Sequence, residues 1–478
     1  MNKHKEGRPF GAVLVVWMPH ERTRFERHRA GPGRNRLTFA RNVSITLATR
    51  IALIVVSLVT SVIMARTLGP EGKGLFSLAI LAAGIVFVVM NLGVGPVSGF
   101  MLGRKRASLE ELAGNWLSLS VLIGIGALAL SLAFAPVLAP RLVPSVPLWA
   151  IVIALLGVPF SMLVYNFQML FRANNDFRSF NVIEVLAPVS FFLFFVPCAI
   201  FLPGRLLRPS LEVSLASYVI AGLGAVFLMG RFVKLSFRWN GALVKETLRF
   251  GFQQNLGNML DFLNFRFDML LVNYFLDPAY VGYYSISVLV AEKLWYLPNI
   301  LSAVLHPRVA HAGEDGDANR DTTRVSRMTV LIIGAGCVVI LLLGRLIVRL
   351  LYSNRFLPAV TPLLLLLPGI FMMSLSKILT SDLTARGYPR AGMWAGLVAV
   401  VSNVILNVIL IPRIAINGAA LSSSVSYSLY AAVIVGYFMR VTGVRLAAIV
   451  MPKAEDIRYL TRIILREMSR VGVLKRQK

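Results

Sequence analysis

The chain has 478 residues, of which 57% are hydrophobic and only 15% charged, and its mean hydropathy is +0.72. A soluble protein of this length could not hide so much apolar surface, so soluble classes are excluded. The net charge of +27 would indicate nucleic acid in a soluble chain, but in a membrane protein it is explained first by loop topology. The two cysteines, Cys198 and Cys337, give neither a disulfide framework nor a metal site.

The first 42 residues form a basic segment with an unusual apolar run, FGAVLVVWMP, at 10–19. This run has the length of a signal-peptide core, but an Arg-rich stretch follows it and no small-residue cleavage site does. It is also too short to cross a bilayer. Two interpretations stay open: an interfacial segment, or a translation start at Met18.

Long apolar segments follow one another through most of the chain. About 20 apolar residues cross the hydrocarbon core, and within it every backbone polar group must be bonded internally. Twelve segments fit, which predicts an all-α, polytopic membrane protein with short connections. They lie near 43–65, 75–102, 115–139, 148–171, 181–202, 211–233, 249–275, 280–307, 327–350, 358–385, 389–411 and 416–440.

The distribution of Lys and Arg between loops predicts the orientation. With the N-terminus inside, 36 of the 49 basic residues lie in cytoplasmic segments, nine lie on the opposite side and four lie within spans. This bias predicts a multi-pass protein of the cytoplasmic (inner) membrane with both termini in the cytoplasm. Nucleic acid is therefore not expected as a partner.

The loop TLGPEGKGLFS at 67–77 looks at first like a phosphate-binding loop. It lacks the required Gly-x4-Gly-Lys-Ser/Thr spacing, so a tight turn is the better interpretation. A shift of 208 residues brings it onto YFLDPAYVGYYS at 274–285, with four identities. Both copies follow an odd-numbered span, which predicts a parallel internal repeat: two pseudo-symmetric six-helix bundles, 43–240 and 241–440, around a central cavity.

Three stretches carry a family resemblance: ARTLGPEGKGLFSLAI (65–80), LRFGFQQNLGNMLDFLNFRFDMLLVNYFLDPAYVGYYS and onward (248–310), and LPAVTPLLLLLPGIFMMSLSKILTSDLTARGYPRAGMW and onward (357–429). The chain resembles the polysaccharide-transporter (Wzx-type) lipid-linked oligosaccharide flippases of the multidrug/oligosaccharidyl-lipid/polysaccharide exporter superfamily. The resemblance implies two bundles that expose a cavity to each leaflet in turn. It also implies polyprenyl-diphosphate-linked sugars as substrate, and no catalytic residues or cofactors.

Such a substrate needs cations within the membrane, because a desolvated diphosphate is very unfavourable in hydrocarbon. Four basic residues lie inside predicted spans, and intramembrane charges are functional candidates by default. The alternative is snorkelling of the side chains to an interface. Lys293 lies nearest mid-membrane and is the strongest candidate. The predicted diphosphate-binding residues are Lys293, Arg266, Lys377 and Arg50.

Acidic and amide residues form a second pattern. Gln254, Asn258, Asp261 and Asp268 share one face of predicted span seven, which indicates a wet cavity or a neighbouring helix. Substrate contact, ion coupling and interhelical hydrogen bonding all stay open. Together with Glu292, Asp261 and Asp268 are the predicted ion-coupling groups. No sequence feature identifies the ion.

Two other acidic positions have simpler interpretations. Glu184, at the start of span five, is predicted to be interfacial. Asp382 and Arg386 stand four residues apart and are predicted to form a structural ion pair.

Enzyme functions find little support. The EDGD sequence at 314–317 contains a D-x-D, but its short loop could not hold a nucleotide, and the five histidines have no metal-ligand spacing. The alternative function is an ion-coupled multidrug or small-metabolite exporter on the same scaffold. Expected partners are membrane lipids and other polysaccharide-assembly membrane proteins. The tail, 441–478, repeats Arg every four residues beside an apolar face, which predicts an amphipathic helix on the inner leaflet.

Overall fold

The computed structural model describes residues 32–202, 204, 206–312, 316–456 and 458. Almost all of them are helical and none forms a strand, so the predicted all-α class is confirmed. The predicted apolar run at 10–19 and the amphipathic tail from 459 onward lie outside these residues. The first half contains α1 (Pro32–Met90), α2 (Val94–Gly103), α3 (Leu109–Leu142), α4 (Leu148–Leu156), α5 (Val158–Ala173), α6 (Phe177–Phe201) and α7 (Leu207–Gly230).

After an extended linker, the second half begins with a 35-residue helix at Gly241. A 3-10 turn, Lys293–Trp295, interrupts the next long helix, and a second turn, Asn354–Ala359, precedes another. The helices are α8 (Gly241–Phe275), α9 (Pro278–Glu292), α10 (Tyr296–Ala312), α11 (Gly316–Tyr352), α12 (Val360–Ala385), α13 (Arg390–Ile414), α14 (Ile416–Thr442) and the short α15 (Leu446–Val450).

By length and composition, ten helices of the described chain could cross a membrane. This count is lower than the predicted twelve at two places. The first candidate, Ala52–Gly103, contains two predicted spans, which meet at a kink where Gly69 has non-helical dihedral angles. Helix α8 is absent from the ten because charged residues, including Asp261, Arg266 and Asp268, interrupt its apolar sequence.

The helices pack mainly within each half, one buried cluster extends through both halves, and α1 and α9 carry most of the contact between the halves. In the first half, α3 and α7 pack on α5, and α6 packs on α7 and α1. In the second half, α14 packs between α12 and α13, while α8 packs on α13. The largest buried side chain is Trp116 of α3, whose Nε1 donates to Ser98 Oγ across to α2 (2.8 Å).

The two repeat loops meet where α1 and α9 cross. A Cβ on Gly74 would overlap the carbonyl oxygen of Pro278, and a Cβ on Gly282 would overlap that of Pro70. Gly74 and Gly282 are equivalent in the repeat, as are the two prolines. The crossing is therefore reciprocal, as a two-fold axis between the repeats requires. We call these four residues the roof; the charge distribution predicts that it faces the outer side.

The halves are also in contact at the end opposite the roof. A Cβ on Gly93, which has φ 73°, would overlap the carbonyl oxygen of Gly251 on α8. Asn255 Nδ2 donates to the Val88 carbonyl oxygen (2.8 Å), again from α8 to the first half. The Arg106 guanidinium adds an ion pair to Glu246. The halves are thus in contact at both ends of their interface.

Two ion pairs hold the base of the second half. Asp382 and Arg386 form the predicted pair at 2.6 Å, which confirms that interpretation. Arg327 of α11 binds both carboxylate oxygens of Asp456, at 2.6 and 3.2 Å, and donates to the Ala448 carbonyl oxygen (3.0 Å). This clamp fixes the segment after α14 to the bundle, with Ile449 fully buried beneath it.

Candidate functional site

The four predicted cations converge between the two halves, around the 3-10 turn that ends α9. Lys293 is the first residue of that turn. Its Nζ donates to Ser57 Oγ of α1 at 3.1 Å and lies 5.2 Å from the centre of the Tyr296 ring. Lys293 therefore joins the second half to the first.

Arg266 of α8 forms a bidentate pair with Glu292, at 2.8 and 2.9 Å. Both side chains stay partly exposed, at 32% and 20%, so the pair faces an open space rather than the interior of a bundle. The sequence assigned Arg266 to the diphosphate and Glu292 to ion coupling, and the structure places them in direct contact. Planar, two-point pairing of this kind is the geometry that Arg also uses for phosphate.

Lys377 of α12 lies over two aromatic rings, with Nζ 4.8 Å from the centre of the Trp295 ring and 5.6 Å from that of Phe265. Its charge interacts with Asp261 and Glu292 rather than forming a close ion pair. Asp261 is itself exposed. The ammonium group thus has aromatic support on one side and carboxylates in reach on the other.

Arg50 of α1 completes the group from the first half. It pairs with Glu184 of α6 at 3.1 Å, and its side chain is 39% exposed. Both charges act on Tyr296, which stands beside Lys293. Glu184, predicted to be interfacial, thus has a direct partner in Arg50 on the neighbouring helix α1.

Together these residues form what we call the central cluster. It contains four cations and three carboxylates, which leaves an excess of one positive charge. Its members are Arg50, Glu184, Asp261, Arg266, Glu292, Lys293, Tyr296 and Lys377.

Asp268 lies elsewhere. It is fully buried, and its carboxylate accepts hydrogen bonds from the Met269 backbone N–H (2.8 Å), from Ser423 Oγ (3.0 Å) and from the Tyr284 hydroxyl. From Ser423, hydrogen bonds connect to other buried polar side chains of α13 and α14. We call this group the polar seam: Asp268, Tyr284, Ser423, Asn403, Ser426 and Asn407.

The polar residues predicted to share one face of α8 therefore lie in two different environments. Asp261 and Asp268 lie seven residues apart, on the same side of the helix, but Asp261 is exposed and Asp268 is not. The same side of α8 is thus exposed at Asp261 and in contact with α14 at Asp268. Asn258 is exposed like Asp261, and the side chain of Gln254 lies outside the described part of the structure.

Ser57, Trp295 and Tyr296 are site residues that the sequence analysis missed. One signal was available for Ser57, which follows Arg50 by seven residues and so lies on the same side of α1. The aromatic residues gave no such signal, because Trp and Tyr are common in any membrane span.

The chain matches known proteins in family and in fold. The family model described as "Polysaccharide biosynthesis protein" matches residues 63–361. A search of curated proteins finds no match. Among solved structures, the chain is similar to the lipid II flippase MurJ in an inward closed conformation, with a TM-score of 0.70 at 14% identity, covering 90% of this chain and 98% of that one.

Two further structures share the fold. One is an inward-facing multidrug resistance MATE family transporter of the MOP superfamily, with a TM-score of 0.67 at 15% identity, covering 82% of this chain and 94% of that one. The other is a MOP superfamily transporter from Pyrococcus furiosus, described as having a binding pocket of reverse polarity, with a TM-score of 0.59 at 14% identity, covering 85% and 95%. The chain therefore belongs to the polysaccharide biosynthesis protein family and has the multi-pass fold of these membrane transporters, as the sequence resemblance implied.

Proposed function

We propose that this protein flips polyprenyl-diphosphate-linked oligosaccharide units across the cytoplasmic membrane by alternating access, for the synthesis of a cell-surface polysaccharide. The observation that carries the proposal is the convergence of Arg50, Arg266, Lys293 and Lys377 between the two halves. The family supports a saccharide-containing cargo, and the fold supports transport rather than catalysis.

The pairing within the central cluster suits a site that must exist both empty and filled. Without substrate, carboxylates hold the cations: Glu184 pairs with Arg50, and Glu292 with Arg266. This pairing reduces the cost of keeping charges away from bulk water. An entering diphosphate exchanges with those carboxylates and takes up the guanidinium groups, while Lys293 and Lys377 supply point charges that adapt to a flexible head group.

We further propose that Asp261, Asp268 and Glu292 couple transport to an ion. Asp261 and Glu292 lose their partners' charge when a diphosphate occupies the cluster, so a proton or sodium ion would compensate them. Asp268 has hydroxyl and backbone donors, and it forms no ion pair within the described residues. A buried carboxylate in that situation is favourable in its neutral or cation-bound form.

The orientation belongs to the same proposal. The excess of basic residues in alternate loops supports cytoplasmic termini, with the roof on the outer side. Membrane lipids and other polysaccharide-assembly membrane proteins are the proposed partners.

The test is deletion of the gene followed by analysis of lipid-linked glycans. We expect one polyprenyl-diphosphate oligosaccharide to accumulate on the inner leaflet while the matching surface polymer disappears. Re-expression of the wild-type chain should reverse both effects, and re-expression of Lys293→Ala should reverse neither. An unchanged lipid-linked pool together with new sensitivity to cationic dyes would instead support the multidrug exporter.

A further inference from the structure

Lys73, in the first copy of the repeat loop, is a buried lysine outside the central cluster. Its side chain is 8% exposed. The Nζ atom lies 3.5 Å from Met64 Sδ and 5.5 Å from the centre of the Phe76 ring. Across the described residues, no carboxylate forms an ion pair with it.

The position of Met64 relates Lys73 to the central cluster. Met64 follows Ser57 by seven residues, which keeps it on the same side of α1 and about 10 Å farther toward the roof. Ser57 accepts the hydrogen bond from Lys293. Lys73 thus lies directly beyond the cluster, along the side of α1 that faces it.

The next residue in the chain, Gly74, lies against the backbone of Pro278 in the roof. Any conformation that releases cargo on this side must separate Gly74 from Pro278. Such a separation moves α9 away from the segment of α1 that contains both Gly74 and Lys73.

A thioether and one aromatic face replace only part of the water that a buried ammonium group loses. The closed roof therefore keeps Lys73 in an unfavourable environment, and an anion arriving from the cluster would relieve it. We propose that Lys73 is a second diphosphate-binding residue, covered while the roof is closed, that receives the head group from the central cluster as the roof opens. This inference rests on the proposed function and extends it to the release step.

The first experiment separates binding from release. Lys73→Met keeps an unbranched side chain only one atom shorter and removes its charge, so the purified protein should be at least as stable to heat as the wild type. We expect it to bind a short-chain polyprenyl diphosphate with unchanged affinity, while flipping in proteoliposomes falls about ten-fold or more, the value of one charged hydrogen bond. Arg208→Met is the matched control, because Arg208 is an exposed basic residue in a surface ion pair with Glu212.

The second experiment restores the charge chemically. Both native cysteines are free thiols, so Cys198→Ser and Cys337→Ser provide the background for Lys73→Cys. An aminoethyl methanethiosulfonate reagent added from the roof side returns an ammonium group to position 73 and should restore flipping. A methyl reagent, which is neutral, and a sulfonatoethyl reagent, which is anionic, should not.

The outcomes distinguish this inference from the proposed function. If the wild-type protein binds no polyprenyl diphosphate, or Lys293→Met binds it as well as the wild type does, the proposed function fails. If the wild type binds and flips but Lys73→Met flips equally fast, only the role of Lys73 is overturned. Equal rescue by the methyl reagent would show that position 73 needs bulk rather than charge, and would also overturn it.

Discussion

Gly74 and Gly282 occupy equivalent positions in the two repeats, and each lies against the proline of the other repeat. The contact is made by backbone atoms on both sides. A pseudo-symmetric pair of bundles is expected to place equivalent residues about a common axis. Here the axis passes through a crossing so close that no side chain fits between the two helices.

A methyl group at either glycine should therefore prevent the roof from closing. We expect Gly74→Ala and Gly282→Ala to insert normally and to lose transport, since each new Cβ would overlap a carbonyl oxygen that cannot move without its helix. Gly126→Ala is the control, because a Cβ there meets no atom within 4 Å. The measurement is flipping, combined with labelling of Ser57→Cys by a membrane-impermeant thiol reagent added from the roof side. Unchanged transport by both variants would mean that the roof is not a gate.

Removing a cation from the central cluster should weaken substrate binding. Lys293→Ala and Arg266→Ala should each weaken binding of a polyprenyl diphosphate about ten-fold or more, the scale of one charged hydrogen bond, and abolish complementation at normal membrane levels. Lys293→Arg should keep part of the activity, because it preserves the charge. Lys245→Ala, an exposed lysine on the same helix as Arg266, serves as the control. Full complementation by both alanine variants would remove these residues from the site.

Replacing Asp268 should change the coupling of transport to an ion without changing the fold. Asn at this position can still accept hydrogen bonds from Tyr284 and Ser423, but it carries no charge for a proton or sodium ion to neutralise. Asp268→Asn should thus flip substrate at a rate that no longer responds to an imposed pH or sodium gradient. Asp277→Asn, which changes an exposed aspartate two residues after α8, should respond like the wild type. A gradient response that survives in Asp268→Asn would exclude this residue from coupling.

The clamp between Arg327 and Asp456 predicts a pH-dependent stability. Burial favours a higher pKa for Asp456, but the hydrogen bonds from Arg327 and from the Lys453 backbone N–H outweigh it and hold the pKa below its usual range. Because the folded pKa lies below the unfolded value of about 4, the stabilisation is complete above that value. It is lost as the pH falls through the folded pKa.

Asp456→Asn should accordingly lower the thermal stability of the purified protein at pH 7, where breaking a buried pair costs about 3–5 kcal/mol. The difference from the wild type should shrink as the pH is lowered below about 4. Glu455→Gln, at the exposed neighbouring residue, should have little effect at either pH. Hydrogen exchange in residues 446–456 locates the change. An equal loss of stability for both variants would argue against the clamp.

Much of the site could be predicted because embedded charges are conspicuous against apolar spans. Lys293, Arg266, Lys377 and Arg50 were found in this way, and the structure brings all four together. The repeat was visible for a similar reason: glycine and proline mark turns strongly enough to align two distant loops. Both kinds of signal depend on single residues whose chemistry is unusual in their surroundings.

The pairing of charges could not be predicted. Arg50 and Glu184 lie on helices far apart in the chain, and neither sequence neighbourhood indicates the other. Helical periodicity assigned Asp261 and Asp268 to one side of α8, but it carries no information about which of the two a neighbouring helix covers. The tight turn predicted at 67–77 corresponds to the kink at Gly69, where the helices of the first two spans meet.

The kink is at Gly69, the one residue with non-helical dihedral angles inside α1, at φ 68° and ψ −177°. This combination is almost restricted to glycine. The segment before it carries Arg50 and Ser57, and the segment after it carries Lys73 and Gly74. Gly69 thus separates the part of α1 that carries the proposed cargo-binding residues from the part that forms the roof, and a small rotation about its backbone dihedral angles would change the angle between the two.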